Sequence, residues 1–287
     1  TTKETTMETN IELLQDIMDN GFDKDDRTGV GSRSVWGRQL RWDLSEGFPA
    51  ITTRKVAFRI AFEEMMFFLR GERDTTILEE KNIHIWTGNT TREFLDERGL
   101  DWLDEGDMGN GYGHQWRPED WHYSGVDQVT RMLEDIKNDP FSRRHIITTW
   151  NPQQLYGMAL PPCHLLQHYQ VTPDGKLNSA FFMRSNDVPF GLPYNIMGYA
   201  LLNILFAKLL GYEPGDLVYQ GTDVHIYKNQ FEMVEEQVTR EIRPLPTLNI
   251  KKDLNTFEDV LSLEFSDVEL VGYDPHPDIK NKPDMAV

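Results

Sequence analysis

Leu160-Pro161-Pro162-Cys163-His164, running into Leu165-Leu166-Gln167-His168-Tyr169-Gln170-Val171, is the stretch on which the fold turns. Leu165 to Val171 reads as a strand entered through a diproline turn. Leu177 to Met183 reads as a second strand and leads into Arg184-Ser185-Asn186-Asp187. Asn195 to Leu210 is then apolar nearly all round and closed by Gly211, the mark of a helix buried in a core. Upstream, His145 to Trp150 is strand-like, and Val126 to Ile136 is an amphipathic helix stopped at Asn138-Asp139-Pro140. Ala57 to Leu69 predicts a second buried helix, Ser34 to Trp42 a strand, and Ile11 to Met18 an amphipathic helix followed by Gly21. Leu217 to Tyr219 and Leu245 to Ile250 are later strands. Helices and strands mix without regular βαβ alternation, so the expected class is α+β with buried central helices. No linker or repeat divides residues 1–287, which are expected to form one domain, with residues 1–10 a flexible polar extension.

The 287 residues are 39% hydrophobic and 11% aromatic, enough for a sizeable core. Lys and Arg number 29 against 47 Asp and Glu, a formal charge of -18. That balance argues against nucleic acid as a broad-surface ligand, which needs cations to displace counterions from phosphate. A small phosphorylated substrate remains open, because it needs only a local cluster of arginines. The longest apolar run, Ile196 to Leu210, is interrupted by Asn203 and Lys208 and is too short to span a bilayer. No signal-peptide pattern opens the chain, and a cytoplasmic location is expected, that of the host if the protein is viral.

Cys163 is the single cysteine, so neither an intramolecular disulfide nor a cysteine-based metal cluster is possible. A lone cysteine is commonly a small buried hydrophobe, and composition alone leaves the nucleophilic reading open. Glu63 and Glu64 interrupt the greasy helix. Burial raises a carboxyl pKa toward the range of a general acid or base, whereas a solvated edge would leave it ordinary. Arg143-Arg144 and Arg184-Ser185 suit phosphate, with forked donors and a neighbouring hydroxyl, although surface ion pairs account equally well for any one arginine.

Taken in order, the motifs resemble the thymidylate synthase family from about Asp26 to Val287. They include Asp26-Arg27-Thr28-Gly29, Tyr112-Gly113-His114-Gln115-Trp116-Arg117, Ser142-Arg143-Arg144 and Met158 to His164. Arg184-Ser185-Asn186-Asp187, Gly191-Leu192-Pro193-Tyr194-Asn195, His225-Ile226-Tyr227 and the terminal Met285-Ala286-Val287 continue the set. The resemblance implies that fold, a homodimer joined through a mixed β-sheet, and 5,10-methylenetetrahydrofolate as co-substrate without a metal. It implies Cys163 as the nucleophile at C6 of a pyrimidine, activating C5. Arg27, Arg184 and Ser185 would hold the substrate phosphate, joined by Arg143 and Arg144 from the partner subunit. Glu64 aligns with the general acid/base, working with His164 and Tyr112 through water, while Glu63 faces about 100° away on the helix. His225 and Tyr227 would contact the sugar hydroxyl. Trp86, with Ile85 beside it, would pack the pterin, and Asp187 would hydrogen-bond it, with Phe190, Gly191 and Tyr194 beside the folate. Arg54 stands where the family has a lysine for the folate tail, and Ala286 and Val287 would close over the bound folate. Asn195 can accept from N3-H and donate to O4 of uracil at once, so dUMP is the expected substrate.

Several positions depart from that pattern. Asn110-Gly111 stand where Pro-Val is usual, Met183 replaces a glutamine, Thr222 a glycine and Gln230 a histidine. Phe190 and Tyr194 replace Leu and Phe. The segment Met183 to Gly191 also resembles phage deoxycytidylate hydroxymethylases. Because Asn110 and Gly111 would admit a water to the last intermediate, the expected product leans to 5-hydroxymethyl-dUMP, with dTMP and dihydrofolate as the alternative. A remote alternative is an inactive nucleotide- or RNA-binding homologue.

Overall fold

A computed structural model describes residues 8–26, 29–118, 125–280 and 282–283. Six strands form one sheet in the order β1-β2-β6-β5-β4-β3. They are β1 (Phe22–Lys24), β2 (Ser32–Asp43), β3 (Ile146–Thr148), β4 (His164–Val171), β5 (Lys176–Asp187) and β6 (Glu213–Tyr227). Neighbours are antiparallel except β5 and β6, which run parallel. Parallel neighbours need a long crossover, and here it is the helix Gly191–Leu210. This connection brings the C-terminal ends of β5 and β6 together beside the first turn of that helix. A mixed sheet with helices packed on it is the expected α+β arrangement.

The helix Gly191–Leu210 lies in the core, with Ala200, Leu201, Leu202 and Phe206 wholly buried. The helix Phe58–Leu69 packs against it, burying Phe62, Met66 and Phe68. Gly198 lies in this contact, where a Cβ would meet the flexible end of Met65 at 2.5 Å. Along β5 the burial alternates residue by residue from Leu177 to Met183, as a sheet with one covered face requires. The other face bears exposed apolar side chains, among them Trp36, Ile146 and Leu166.

Most elements extend beyond their sequence cores. The first helix spans Glu8–Asn20, and Asn10 is buried, so the extension expected over residues 1–10 already gives way to structure at Glu8. The expected strand Leu217 to Tyr219 is the middle of a strand of 15 residues. Its ends carry Gly215, Asp216, Gln220 and Asp223, which local propensity disfavours and ladder pairing with β2 and β5 overrides. No helix among the described residues is long and apolar enough to cross a membrane.

Candidate active site

Cys163 sits at the mouth of β4, half-buried, immediately before His164. Its backbone N–H donates to Tyr112 Oη at 2.8 Å, and Arg184 from β5 brings Nη2 to 3.8 Å from its Sγ. A guanidinium there stabilises negative charge on sulfur. Arg184 is itself fixed: Nε donates to the Pro162 carbonyl at 2.8 Å and Nη2 to that of Pro161 at 3.1 Å. The diproline turn therefore does more than start the strand. It presents two carbonyls that hold the cation beside the thiol.

Tyr112 opens the short helix Tyr112–Trp116, which lies hard against the chain at Gly71 and Glu72. Gly113 is required there, since a Cβ would lie 2.2 Å from the Glu72 carbonyl oxygen. Tyr112 stacks on His164 with centroids 3.9 Å apart and stands edge-on to Trp86 at 6.1 Å. Trp86 Nε1 in turn donates to Glu64 Oε1 at 2.9 Å. A continuous wall thus runs from Glu64 through Trp86 and Tyr112 to Cys163 and Arg184, assembled from five separate parts of the chain.

Burial sets the chemistry of this wall. It pushes the Glu64 carboxyl up to about 7, against the opposing effect of the Trp86 N–H. It pushes His164 down to about 3, so the imidazole is neutral, and its Nδ1 pairs with Tyr199 Oη. Tyr112 is raised well above the ordinary phenol range, mainly by burial. Glu63 is less exposed than the half-buried Glu64 and pairs with Lys81 Nζ at 2.7 Å. Of the two neighbours, Glu64 alone lies in the wall and Glu63 is a structural ion pair, as their offset around the helix requires.

A second group gathers where β5, β6 and the helix Gly191–Leu210 meet. Asp187 and His225 are register partners across the parallel pair. Asp187 accepts from the Phe190 N–H at 3.2 Å and from Gln230 Nε2 at 3.2 Å to each oxygen, while burial raises its carboxyl. Asn195 Oδ1 accepts from Asn186 Nδ2 at 3.1 Å, and Tyr219 Oη donates to Asn186 Oδ1 at 3.1 Å. This relay assigns the orientation of the Asn195 amide. Phe190, Gly191, Tyr194 and Asn195 are half-buried at the start of a largely buried helix, which leaves that turn accessible beside Asp187. His225 Nδ1 faces Asp223 Oδ1 at 3.2 Å. Asp223 also pairs with Lys24 and accepts from Ser34 Oγ at 2.8 Å, and these partners hold its carboxyl well below the usual range.

Arg54 is buried. Its guanidinium is turned inward, donating to the Pro189 carbonyl, 3.9 Å from Asp278 and 5.5 Å over the Phe190 ring. It braces Phe190 from the inner side. Ser185 pairs in register with Asp223, Tyr227 ends β6, and Ile85 packs half-buried beside Trp86. Arg143 and Arg144 are not gathered with Cys163; they are exposed just before β3. Arg27, Ala286 and Val287 lie outside the described residues. Gln230, Asn186, Tyr199 and Asp223 had no assigned role in the sequence. Gln230 stood out as a departure from the family pattern and Asn186 lay within a motif, while Asp223 lies two residues from His225.

A family model described as thymidylate synthase matches residues 8–287. The chain belongs to the thymidylate synthase family. It is 43% identical over 288 residues to a bifunctional dihydrofolate reductase-thymidylate synthase of Leishmania major, covering 96% of this chain and 54% of that protein. A protein of the same description from Zea mays is 41% identical over 289 residues, with 96% and 54% covered. The chain thus spans about half the length of the curated relatives it matches. Family membership agrees with the motifs and with the mixed sheet. Among the described residues no group of three or more His, Cys, Asp or Glu is gathered as a metal site.

Proposed function

We propose that the protein transfers a one-carbon unit from 5,10-methylenetetrahydrofolate to C5 of dUMP and releases dTMP and dihydrofolate. The observation carrying this reading is the wall that sets Cys163 Sγ 3.8 Å from Arg184 and includes a Glu64 carboxyl held near 7. Addition of the Cys163 thiolate to C6 puts an electron pair on C5, which bonds to the methylene carbon. Loss of the C5 proton and of the folate nitrogen leaves an exocyclic methylene on the ring. The folate supplies that carbon and then the hydride that makes it a methyl group, after which the thiolate leaves C6.

The remaining residues bind, orient and move protons. Arg184 and Ser185, with Arg27, hold the phosphate, and His225 and Tyr227 hold the sugar hydroxyl. Asn195, oriented by Asn186, offers one lone pair to N3-H and its amide hydrogens to O4, a pattern that cytosine cannot match. Glu64 can give and take protons near neutral pH with His164 and Tyr112 beside it. The folate fits the second group: the half-buried Asp187 carboxylate suits a pterin N–H, and Trp86, Phe190, Gly191 and Tyr194 supply apolar surface around it.

Reduction is preferred over hydration as the last step. The relatives are named for thymidylate synthase, and Asn110 is not disposed to hold the attacking water. Its side-chain amide packs against Gly157, where an added Cβ would lie 2.8 Å from Asn110 Nδ2, and its backbone carbonyl accepts from Gln115 Nε2 at 2.9 Å. The lean to 5-hydroxymethyl-dUMP is therefore given up. Purified protein offered dUMP or dCMP with the folate tests the proposal by mass spectrometry of the nucleotide. The expected result is dUMP gaining one methylene unit with stoichiometric dihydrofolate, and dCMP unchanged. A hydroxymethyl product without dihydrofolate would overturn it.

Arg143 and Arg144 complete the reading as phosphate ligands for a second copy of the chain. Among the described residues neither side chain makes a hydrogen bond or ion pair, and Arg144 lines a cavity of about 550 Å³ with Arg131 and Ser142, not with Cys163. The apolar residues exposed on the nearby sheet face suit burial against another copy. Replacing both arginines with glutamine is expected to raise the dUMP KM at least about tenfold, the effect of losing charged hydrogen bonds. Mixing that variant with Cys163→Ser should restore turnover in mixed dimers. Sedimentation showing an active monomer at assay concentration would refute the shared site.

A further inference from the structure

We propose that Gln230 is a positioning residue of the reaction, fixing the Asp187 carboxylate to the backbone segment that carries His225 and Tyr227. Gln230 is wholly buried, at 0% exposure, and each end of its amide is committed. Nε2 lies 3.2 Å from both Asp187 oxygens, and Oε1 accepts from the Tyr227 N–H at 2.9 Å. An amide can do this because one end donates while the other accepts; methionine has the same length but offers Asp187 no donor.

The contacts form a closed loop. Asp187 and His225 are register partners, and the Val188 N–H donates to the His225 carbonyl at 3.0 Å. Two residues after His225 the chain reaches Tyr227, and Gln230 returns from there to Asp187. Asp187 therefore cannot move relative to Tyr227 without breaking a buried hydrogen bond, whose unmade groups are costly. Nucleotide contacts at the end of β6 and the folate contact at Asp187 are held in one frame. Gln230 touches neither substrate in this arrangement and acts through Asp187. The inference rests on the reading of Asp187 as a folate contact.

The test uses Gln230→Met, Gln230→His and Gln230→Glu in the full chain, with Asp187→Asn as reference. Folate KM, dUMP KM and the pH profile of kcat/KM for the folate are measured. Gln230→Met is expected to raise the folate KM roughly tenfold and the dUMP KM less than about twofold, as for loss of a hydrogen bond to a charged group. The donors that favour the ionised carboxylate are gone, so its acid limb should move to higher pH. Arg54, His225 and the Phe190 N–H also face Asp187 and favour its ionised form, but they are common to all the proteins compared. Gln230→His keeps one donor and one acceptor and should return both values toward wild type.

A Gln230→Met enzyme that melts lower but keeps its folate KM and acid limb would overturn the proposal. If that variant does not fold, Gln230→Glu decides. It keeps an acceptor for Tyr227 and sets a second carboxyl beside Asp187, so the two titrate as a coupled pair and the limb must shift; an acid limb and folate KM that both stay at their wild-type values overturn the proposal equally. If Asp187→Asn leaves the folate KM unchanged, the failure belongs to the reading of Asp187 and is recognised separately.

Discussion

Replacing Cys163 with serine is expected to lower turnover by on the order of 10⁴-fold or more, the scale of losing a covalent nucleophile. A serine hydroxyl is nearly the same size but is not ionised near neutral pH, so addition at C6 fails while the pocket stays intact. Arg184 keeps its bonds to the Pro161 and Pro162 carbonyls, and Tyr112 keeps the backbone N–H of residue 163, because neither depends on sulfur. Binding of dUMP should therefore survive within about threefold, by the logic that ground-state contacts are unchanged. Steady-state rates, equilibrium binding of dUMP and mass spectrometry for a nucleotide–protein adduct check this. Undiminished turnover by the serine variant would remove Cys163 from the chemistry.

Glu64→Gln carries the second large effect, and its sign is opposite for rate and stability. A glutamine keeps the size and can still accept from Trp86, but it cannot transfer a proton, so kcat should fall about 10²- to 10⁴-fold. The Glu64 carboxyl is raised from an ordinary 4.5 to about 7 by burial, so between those values the folded state binds more proton than the unfolded state. Stability contributed at this position therefore falls as pH rises through that window, and the cost is complete above about 7. The gap corresponds to roughly 3 kcal/mol in the wild type at pH 8, an order-of-magnitude figure. Glutamine escapes that cost, so the variant should melt higher than wild type at about pH 8 and no higher at about pH 5. Melting curves at the two pH values and kcat on dUMP check both signs. A variant with normal kcat would remove Glu64 from proton transfer, and one without the alkaline stability gain would show that Glu64 is not the buried carboxyl described.

Much of this architecture is legible locally. Apolar periodicity finds the helices Phe58–Leu69 and Gly191–Leu210, and the two strands around Cys163 are found within a few residues of their ends. The long strand Glu213–Tyr227 is not found whole, because its polar residues are held by neighbours on both sides rather than by their own preference. The inward turn of Arg54 is also invisible locally. Only packing shows that Pro189, Phe190 and Asp278 enclose it.

The sequence by itself determined the α+β class, the family, the single thiol, and the identity of the arginines, asparagine and carboxylates available for chemistry. These follow from local spacing and from motifs whose meaning does not depend on contacts. Tertiary structure alone decided the surroundings of the two adjacent glutamates: Lys81 pairs with Glu63, and the Trp86 N–H meets Glu64. It also decided that Asn186 orients Asn195 and that Gln230 holds Asp187. Ionisation and hydrogen-bond direction depend on burial and on partners far apart in the chain, and those are settled only when β5 and β6 run side by side.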